Sequence, residues 1–327
     1  MKPLAELDRR GVRAVLLDID DMLTTDGKLT AGAYEALERL KRAGLRVVPV
    51  TGRPAGWCDH IARMWPVDAV VGENGAFYFF HEANRLQKRF QDSEAIRAGK
   101  RSRLQAIAAQ ILAAVPGCAL ASDQPYRATD LAIDYCEDVP PLPVEAAQRI
   151  AALMRQAGLT AKVSSIHVNG WFGEYDKLAT TRRLFAERFG LDIAAVNREV
   201  VFAGDSPNDA PMFAFFEKSV GVANVRRFEG LLAEKPKYVT RAARCPRAPP
   251  DIQRAIAADP CRRRTARSAW RSRGRQWLRY GLDSRRRCGR APQTRRPARR
   301  LPYWRRGKRR GAARAWFSLH HYSPAPR

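Results

Sequence analysis

The stretch VLLDIDDMLTTDG, residues 15–27, places three carboxylates within four positions directly after an apolar run. Asp18, Asp20 and Asp21 follow a Val-Leu-Leu segment that predicts a short strand buried on both faces. Like charges this close repel one another, so the stretch predicts a partner that neutralises them. A divalent cation is the group that such hard oxygen atoms favour.

The chain around this stretch alternates between buried strands and amphipathic helices. Residues 12–17 and 45–50 predict strands, and residues 31–43 predict the helix between them. The alternation resumes over residues 176–223. Strand–helix alternation of this kind predicts an α/β fold, with a parallel sheet covered by helices on both faces.

The pattern between these two parts is different and predicts an inserted α+β module. Residues 93–115 predict a long helix, and the sequence TDLAIDYC, residues 129–136, alternates between apolar and polar positions. That alternation predicts a half-exposed strand, with Asp130 and Asp134 on its wet face. The predicted division is a core of residues 1–81 and 168–240 and a module of residues 82–167.

Four polar clusters follow predicted buried strands or open the helix after one. They are Asp18-Ile19-Asp20, Thr51-Gly52-Arg53, Lys177 and the segment Gly204–Asp209. In an open α/β sheet the ligand crevice lies outside the carboxyl ends of the strands. Clusters far apart in the chain are therefore expected to converge on one site.

The residue types in these clusters are chemically complementary. Four aspartates, Asp18, Asp20, Asp205 and Asp209, offer hard oxygen ligands for Mg²⁺. Lys177 adds a fixed positive charge that fits a phosphoryl oxygen, as does the hydroxyl of Thr51. A carboxylate left free to attack can act as a nucleophile through an aspartyl-phosphate.

In this order the clusters resemble the four motifs of the haloacid dehalogenase (HAD) superfamily of phosphatases, over about residues 12–240. The module lies between the second and third motifs, which resembles the C2-capped, IIB branch with its Cof-like and sugar-phosphate phosphatases. The resemblance implies a Rossmann-like core with a C2 cap. It also implies a Mg²⁺-dependent phosphatase whose substrate is a small phosphorylated metabolite, most simply a sugar phosphate.

The resemblance also implies a role for each matching residue. Asp18 would be the nucleophile and a Mg²⁺ ligand. Asp20 would be the general acid and then the general base, with its backbone carbonyl on the metal. Thr51 and Lys177 would hold the phosphoryl oxygens. The remaining expected residues are Asp205 and Asp209 at the metal, and Gly52, Arg53 and Asn208 at the substrate, with a surface position as the alternative for Arg53.

The sequence departs from the family pattern at two places. Met22 stands where the family has Thr or Val, so the turn after Asp20 is expected to pack differently. After Tyr238–Thr240 the chain continues as RAARCPRAPP where the family has a Gly-containing loop and a helix. The core is therefore expected to lack its last helix.

Residues 241–327 differ in kind from the rest of the chain. The whole chain carries 59 Lys and Arg against 33 Asp and Glu, a net charge of +26. The last 87 residues hold 27 of the basic residues, all but one of them Arg, and only 3 of the acidic ones. Such a composition cannot bury enough apolar surface to offset its ordering entropy, so it predicts a disordered tail.

Three origins fit this tail. A GC-rich coding sequence read in a shifted frame yields such an Arg- and Pro-rich composition, and the break near residue 241 favours this origin. An authentic nucleic-acid-binding arm is the second, with Arg for phosphates and Trp270, Trp277 and Trp304 for stacking. An inert tail is the third. Non-specific binding of nucleic acid is expected for any chain that carries it.

Other features narrow the class of protein. The six cysteines form no CxxC pair, which argues against a disulfide scaffold and a zinc site. No stretch approaches the roughly 18 apolar residues of a membrane span, and MKPLAELDRR lacks the apolar core of a signal peptide. We expect a cytoplasmic protein without a membrane partner, in an oligomeric state left open.

Two alternatives to a phosphatase stay open on the sequence. A phosphomutase would use the same motifs and return the phosphoryl group to the substrate instead of passing it to water. A nucleic-acid-binding protein would combine a degenerate phosphatase core with the basic tail.

Overall fold

A computed structural model describes residues 1–164, 166–230 and 232–241 of the chain. The predicted α/β class is confirmed, with a parallel central sheet and an inserted α+β module. Residues 242–327, on which the prediction of a disordered or frameshifted tail falls, lie outside the described residues, as does the segment where the last helix was expected to be missing.

The described residues form fifteen strands and six α-helices. The strands are β1 Lys2–Pro3, β2 Ala14–Leu17, β3 Thr24–Thr25, β4 Lys28–Leu29, β5 Arg46–Pro49, β6 Val70–Gly72, β7 Phe77–Glu82, β8 Arg85–Phe90, β9 Ala119–Leu120, β10 Leu131–Asp134, β11 Thr160–Val163, β12 His167–Trp171, β13 Val200–Gly204, β14 Lys218–Gly221 and β15 Tyr238–Val239. The helices are α1 Ala31–Arg42, α2 Ala55–Met64, α3 Glu94–Ala114, α4 Val144–Gln156, α5 Lys177–Phe189 and α6 Ala210–Phe215.

The central sheet has the strand order β1-β15-β14-β13-β2-β5, and every neighbouring pair is parallel. A parallel bridge between Val50 and Val71 connects β5 to β6, the first strand of an antiparallel sheet with the order β6-β7-β8. Because β13, β2 and β5 are adjacent and parallel, the loops that follow them meet at one edge of the sheet.

The central strand β2 is buried on both faces, as its apolar sequence predicts. Val15 and Leu17 pack in the cluster that includes residues of α1 and α2, whereas Ala14 and Leu16 pack in the cluster that includes residues of α5 and α6. The sheet therefore lies between two helical layers, and its strands are held rigidly up to their last residue.

The inserted module, called the cap below, has its own sheet and its own apolar core. Strands β11-β12-β10-β9 form an antiparallel sheet that packs with α3 and α4. The start of α3 is confirmed at Ser93, whose hydroxyl accepts a hydrogen bond from the Ile96 amide at 3.4 Å. Strand β12 belongs to this sheet, so the predicted boundary at residue 167 falls on the first residue of β12.

The prediction of a half-exposed strand at 129–136 is wrong. All four residues of β10 are buried, and Asp130 and Asp134 are only 2% and 1% exposed. The carboxylate of Asp130 is paired with Arg127, and that of Asp134 accepts hydrogen bonds from the three backbone amides of residues 136–138. Polar residues in an alternating pattern are thus buried when local donors satisfy them.

None of the helices in the described segments has the length and apolar character that a membrane crossing requires. None of the three cysteines of those segments, Cys58, Cys118 and Cys136, forms a disulfide bond.

Candidate active site

The predicted site residues of the core lie at the carboxyl ends of adjacent strands. Asp18 directly follows β2, Asp205 directly follows β13, and Thr51 follows the Val50 bridge that extends β5. Lys177 comes from another direction, as the first residue of α5, where Asp176 caps the helix by accepting a hydrogen bond from the Ala179 amide at 2.7 Å.

Three carboxylates form a buried cluster at this edge. Oxygen atoms of Asp18, Asp205 and Asp209 all lie within 4.8 Å of one another, and none of the three residues is more than 4% exposed. The ammonium of Lys177 donates hydrogen bonds to Asp18 Oδ2 and Asp209 Oδ1, each at 2.7 Å. Only one ammonium of the described residues thus balances the charge of three carboxylates, so the cluster can accept further positive charge.

The electrostatics of the cluster follow from this imbalance. Burial, together with the nearby charges of Asp209 and Asp20, raises the pKa of Asp18 to about 7 even though Lys177 opposes the shift. Burial and the neighbouring aspartates also raise the pKa of Asp205 well above its ordinary value. Burial alone would lower the pKa of Lys177, but Asp18 and Asp209 outweigh it and raise that pKa.

The donor set fits a hard divalent cation. Asp205 is oriented by Asn224, whose Nδ2 donates to Asp205 Oδ2 at 2.9 Å, while the buried Oδ1 of Asn224 has no protein partner within the described residues. Carboxylate and amide oxygens are the ligands that Mg²⁺ accepts, usually with retained waters. The buried carboxylates carry more negative charge than Lys177 balances, and the amide oxygen of Asn224 accepts no hydrogen bond from the described residues. Both features favour a bound cation in this cluster.

Asp209 is held more tightly by the protein than the other two carboxylates. Its Oδ2 accepts the amides of Asp205 and Ser206 at 3.0 and 3.4 Å, while Oδ1 accepts Lys177. A Cβ atom added to Gly204 would lie only 2.3 Å from Asp209 Oδ2, so the loop can close this tightly only because glycine stands there. The carboxylate of Asp209 therefore fixes the loop after β13.

Asp20 does not join the carboxylate cluster. Its carboxylate is paired with the guanidinium of Arg53 at 2.8–3.0 Å. The same guanidinium donates to Glu137 Oε1 of the cap at 2.8 Å. The alternative of a surface position for Arg53 is wrong, because the residue is only 3% exposed. Arg53 instead joins Asp20 in the core to a carboxylate of the cap.

Thr51, Gly52 and Asn208 lie in the loops around this pair. Thr51 is fully buried, and its hydroxyl accepts a hydrogen bond from the Arg53 amide at 3.1 Å. Pro54 is the residue that precedes α2. The Ser206 hydroxyl donates a hydrogen bond to Asn208 Oδ1 at 2.6 Å, which fixes the orientation of the Asn208 side-chain amide.

A small cavity of about 20 Å³ lies between these core residues and the cap. The core contributes Asp18, Asp20, Gly52 and Arg53 to its wall, among other residues. The cap contributes Arg127, Ser164, Ile166, His167 and Asn169. Asp18, Asp20, Gly52 and Arg53 therefore face a space that the cap closes.

The cap residues of this wall were missed by sequence reasoning. Glu137 lies between Arg53 and His167, whose Nε2 is 2.9 Å from Glu137 Oε2. Burial alone would raise the pKa of Glu137, but its contacts with His167 and Arg53 lower it to about 2. The acidic turn that follows β10 is a sequence signal that could have drawn attention to Glu137.

Met22 is buried, at 3% exposure, in the apolar cluster on the side of α1 and α2. The turn after Asp20 is closed by backbone hydrogen bonds from Leu23 and Thr24 to Ile19 O at 2.9 and 3.0 Å. Methionine at this position thus packs into the core and leaves the turn closed.

Comparison with known proteins agrees with this geometry. Residues 15–102, which carry Asp18, Asp20 and Thr51, match the family described as haloacid dehalogenase-like hydrolase. No curated protein matches the chain.

Several solved structures share the fold. A protein of Thermoplasma acidophilum is 19% identical with a TM-score of 0.51, covering 71% of this chain and 92% of its own. A candidate HAD/COF-like hydrolase from Plasmodium vivax is 16% identical with a TM-score of 0.51, covering 71% and 90%. A structure from work on a phosphoryl-transfer superfamily is 14% identical with a TM-score of 0.50, covering 75% and 97%.

At these identities the structural likeness supports the fold alone. The family match supports a relationship for the segment that carries the first two polar clusters. The match to the haloacid dehalogenase-like hydrolases covers residues 15–102, and the acidic strand ends and the inserted cap agree with it.

Proposed function

We propose that this hydrolase is a Mg²⁺-dependent phosphatase of the C2-capped, IIB type that acts on a small phosphorylated metabolite, most simply a sugar phosphate. The observation that carries the proposal is the buried carboxylate of Asp18, held by Lys177 beside two further aspartates and facing a cavity under the cap. Such an arrangement positions a nucleophile and neutralises a phosphoryl group.

In this proposal, a carboxylate oxygen of Asp18 attacks the phosphorus atom and forms an aspartyl-phosphate. The bond from phosphorus to the leaving-group oxygen breaks, and Asp20 gives that oxygen its proton. A water then loses a proton to Asp20 and attacks the same phosphorus atom. Phosphate leaves, Asp18 is regenerated as a carboxylate, and Asp20 is protonated again.

The other residues of the core position these groups. Lys177, 2.7 Å from Asp18 Oδ2, would face the negative charge of the transferred phosphoryl group, and the buried Thr51 would add a hydroxyl donor. Gly52 and Asn208 line the small cavity under the cap and would contact a substrate once the cap moves to admit it. Arg53 would hold Asp20 in place through its paired hydrogen bonds.

Asp18 and Asp205 would hold the cation, with Asp209 behind them and with the backbone carbonyl of Asp20 as a further ligand. Bound there, Mg²⁺ supplies positive charge to the phosphoryl oxygens. The raised pKa of Asp18 and the free amide oxygen of Asn224 support this assignment.

The cap wall supports a hydroxyl-rich leaving group. The hydroxyl of Ser164, the imidazole of His167 and the amide of Asn169 are hydrogen-bonding groups. The charge of Arg127 is already engaged by Asp123 and Asp130, at 2.9–3.0 Å. A polar wall whose arginine is already paired fits the hydroxyl groups of a sugar better than a second anionic group.

The direct test is phosphate release over a panel of sugar phosphates, with and without Mg²⁺. Release that requires the cation and stops with a chelator is the expected result. Transfer of the phosphoryl group between positions of the sugar, without phosphate release, would favour the phosphomutase alternative. Soluble, folded protein that does neither would contradict the proposal.

Mg²⁺ is expected to stabilise the metal-free protein, and the effect should grow from about pH 6 to about pH 8. Because burial raises the pKa of Asp18 to about 7, the folded protein binds a proton that the unfolded chain has lost, and it loses stability as the pH rises through this range. A cation removes that penalty.

At a free Mg²⁺ concentration of about 100 times Kd, the free energy of unfolding should rise by about 3 kcal/mol. Thermal unfolding in chelator and in Mg²⁺ measures the shift. Asp205→Asn removes one proposed ligand and should lose most of it. An equal shift in this variant, or a shift that shrinks as the pH rises, would contradict the cation site.

A further inference from the structure

Three consecutive residues between β6 and β7 have left-handed backbone conformations. The φ angles of Glu73, Asn74 and Gly75 are 42°, 54° and 107°. A glutamate in this region is unfavourable, and such conformations persist where the surroundings fix them. On the sequence, Asn74-Gly75 is most simply a turn, with a position facing the site as the alternative. The contacts of the three side chains and backbones show what fixes it.

Glu73 joins the core to the cap. Its carboxylate is completely buried and accepts hydrogen bonds from the amides of Ala128, Thr129 and Asp130 at 2.8, 2.7 and 3.3 Å, and from the Thr129 hydroxyl. It also accepts the amide of Ala55, the first residue of α2, at 2.9 Å. Charge-assisted hydrogen bonds of this kind are stronger than neutral ones, so this carboxylate fixes the cap segment 128–130 against the core.

Asn74 contacts two loops of the candidate active site. Its backbone amide donates a hydrogen bond to the carbonyl oxygen of Thr51 at 3.1 Å. Its side-chain Oδ1 accepts Asn208 Nδ2 at 3.4 Å. The side-chain amide lies directly against Gly52, where an added Cβ atom would be 3.2 Å from both Oδ1 and Nδ2.

Gly75 contacts the segment that carries Lys177. A Cβ atom on Gly75 would lie 2.1 Å from Asp176 O and 3.0 Å from the Lys177 backbone nitrogen, so this approach requires glycine. The carbonyl of Gly75 also accepts a hydrogen bond from the side chain of Thr180 in α5. The start of α5 is therefore packed directly on this residue.

We propose that Glu73, Asn74 and Gly75 form a positioning hub, which couples the seating of the cap to the geometry of the catalytic loops. Glu73 holds the cap segment, Asn74 holds the loops of Thr51 and Asn208, and Gly75 holds the backbone at Lys177. Because the three residues are adjacent and their φ angles are fixed together, displacement of the cap from Glu73 moves the loops that Asn74 and Gly75 contact.

Glu73→Gln tests the hub. The substitution keeps the size of the side chain but puts an amide donor where backbone amides now donate, so it leaves buried donors unpaired. Asp68→Asn is the matched control. Asp68 accepts the Val47 amide at 2.8 Å and Lys41 at 2.6 Å, at the end of the sheet opposite the site.

The first readout is hydrogen exchange of the full-length protein, which needs no substrate. In Glu73→Gln, amides of residues 126–132 and also of residues 49–54 and 175–181 are expected to exchange at least about tenfold faster. In Asp68→Asn these three segments are expected to exchange as in the wild type. Faster exchange confined to 126–132, or spread evenly over the whole protein, would overturn the coupling.

The second readout is hydrolysis of p-nitrophenyl phosphate with Mg²⁺, and this arm rests on the proposed function. Glu73→Gln is expected to lower kcat about tenfold with KM changed less than about twofold, because bound substrate meets misplaced catalytic groups. Unchanged kcat in Glu73→Gln would overturn the hub. A wild-type protein without turnover would contradict the proposed function, while the exchange readout would still decide on the hub.

Thr129→Val is a second, milder variant that tests the hub if the Glu73→Gln protein does not fold. It removes the hydroxyl that donates to Glu73 and leaves the carboxylate and its four backbone amide donors in place. The same three segments are expected to exchange about threefold faster. An unchanged exchange rate in segments 49–54 and 175–181 would count against the hub here too.

Discussion

Asp18→Asn is expected to abolish turnover, by at least about 10⁴-fold, while the protein stays folded. The amide cannot attack phosphorus, so no aspartyl-phosphate forms. The substitution also removes one of three buried negative charges, and burial raises the pKa of this carboxyl to about 7. The free energy of unfolding of the metal-free protein at about pH 8 should therefore rise by about 2 kcal/mol.

Phosphate release and urea unfolding measure the two effects. Asp21→Asn is the matched control, since it makes the same change three residues along, at a left-handed position that asparagine tolerates. It should keep its turnover to within about threefold. Turnover that survives in Asp18→Asn would refute the assignment of the nucleophile.

Lys177→Met is expected to combine a loss of activity with a large loss of stability. Lys177 is only 2% exposed, and its ammonium is the hydrogen-bond donor that Asp18 and Asp209 share. Its removal leaves three buried carboxylates facing one another, which should lower the free energy of unfolding by about 3–5 kcal/mol at about pH 8. Turnover should fall by at least about 10³-fold.

The stability loss should shrink as the pH falls below about 7, because the carboxylates can then take up protons instead of repelling each other. Lys41→Met is the control, since Lys41 is paired with Asp68 at 2.6 Å but its side chain is 30% exposed. It should cost less than about 1 kcal/mol. Equal losses in the two variants, or a loss that grows at low pH, would contradict the buried cluster.

The sequence was sufficient to predict the core of the fold and the cluster of Asp18, Asp205, Asp209 and Lys177. Short apolar runs identify buried strands, and neighbouring parallel strands end at one edge of a sheet, so polar residues after them must meet. Strand β2 illustrates this, because both of its faces are covered and Asp18 is its next residue. Local pattern and sheet topology are enough to place these residues together.

The contacts between core and cap could not be predicted in this way. Arg53 and Glu137 are 84 residues apart, and their contact depends on how the cap is oriented over the core. Glu73 reads as an ordinary glutamate before a turn, and only the approach of residues 128–130 shows why it is buried. Such pairs follow from tertiary packing, which no periodicity in the sequence records.

Burial of the acidic residues in the cap was mispredicted for a related reason. An alternating pattern places Asp130 and Asp134 on one face, and an aspartate is assigned to solvent by default. Here Arg127 and the backbone amides after β10 satisfy both carboxylates within a few residues of the chain. Arg127, three positions before Asp130, is the sequence signal that could have indicated a buried, paired carboxylate.

The most direct test of the account is to look for the phosphoryl group on Asp18. A sugar phosphate that the protein turns over in Mg²⁺ is mixed with it, quenched in acid within one turnover, and the protein is mapped by mass spectrometry. We expect a phosphorylated peptide that contains Asp18 and disappears as phosphate is released. Turnover with the Asp18 peptide unmodified at every time, or with the label on another residue, would contradict it.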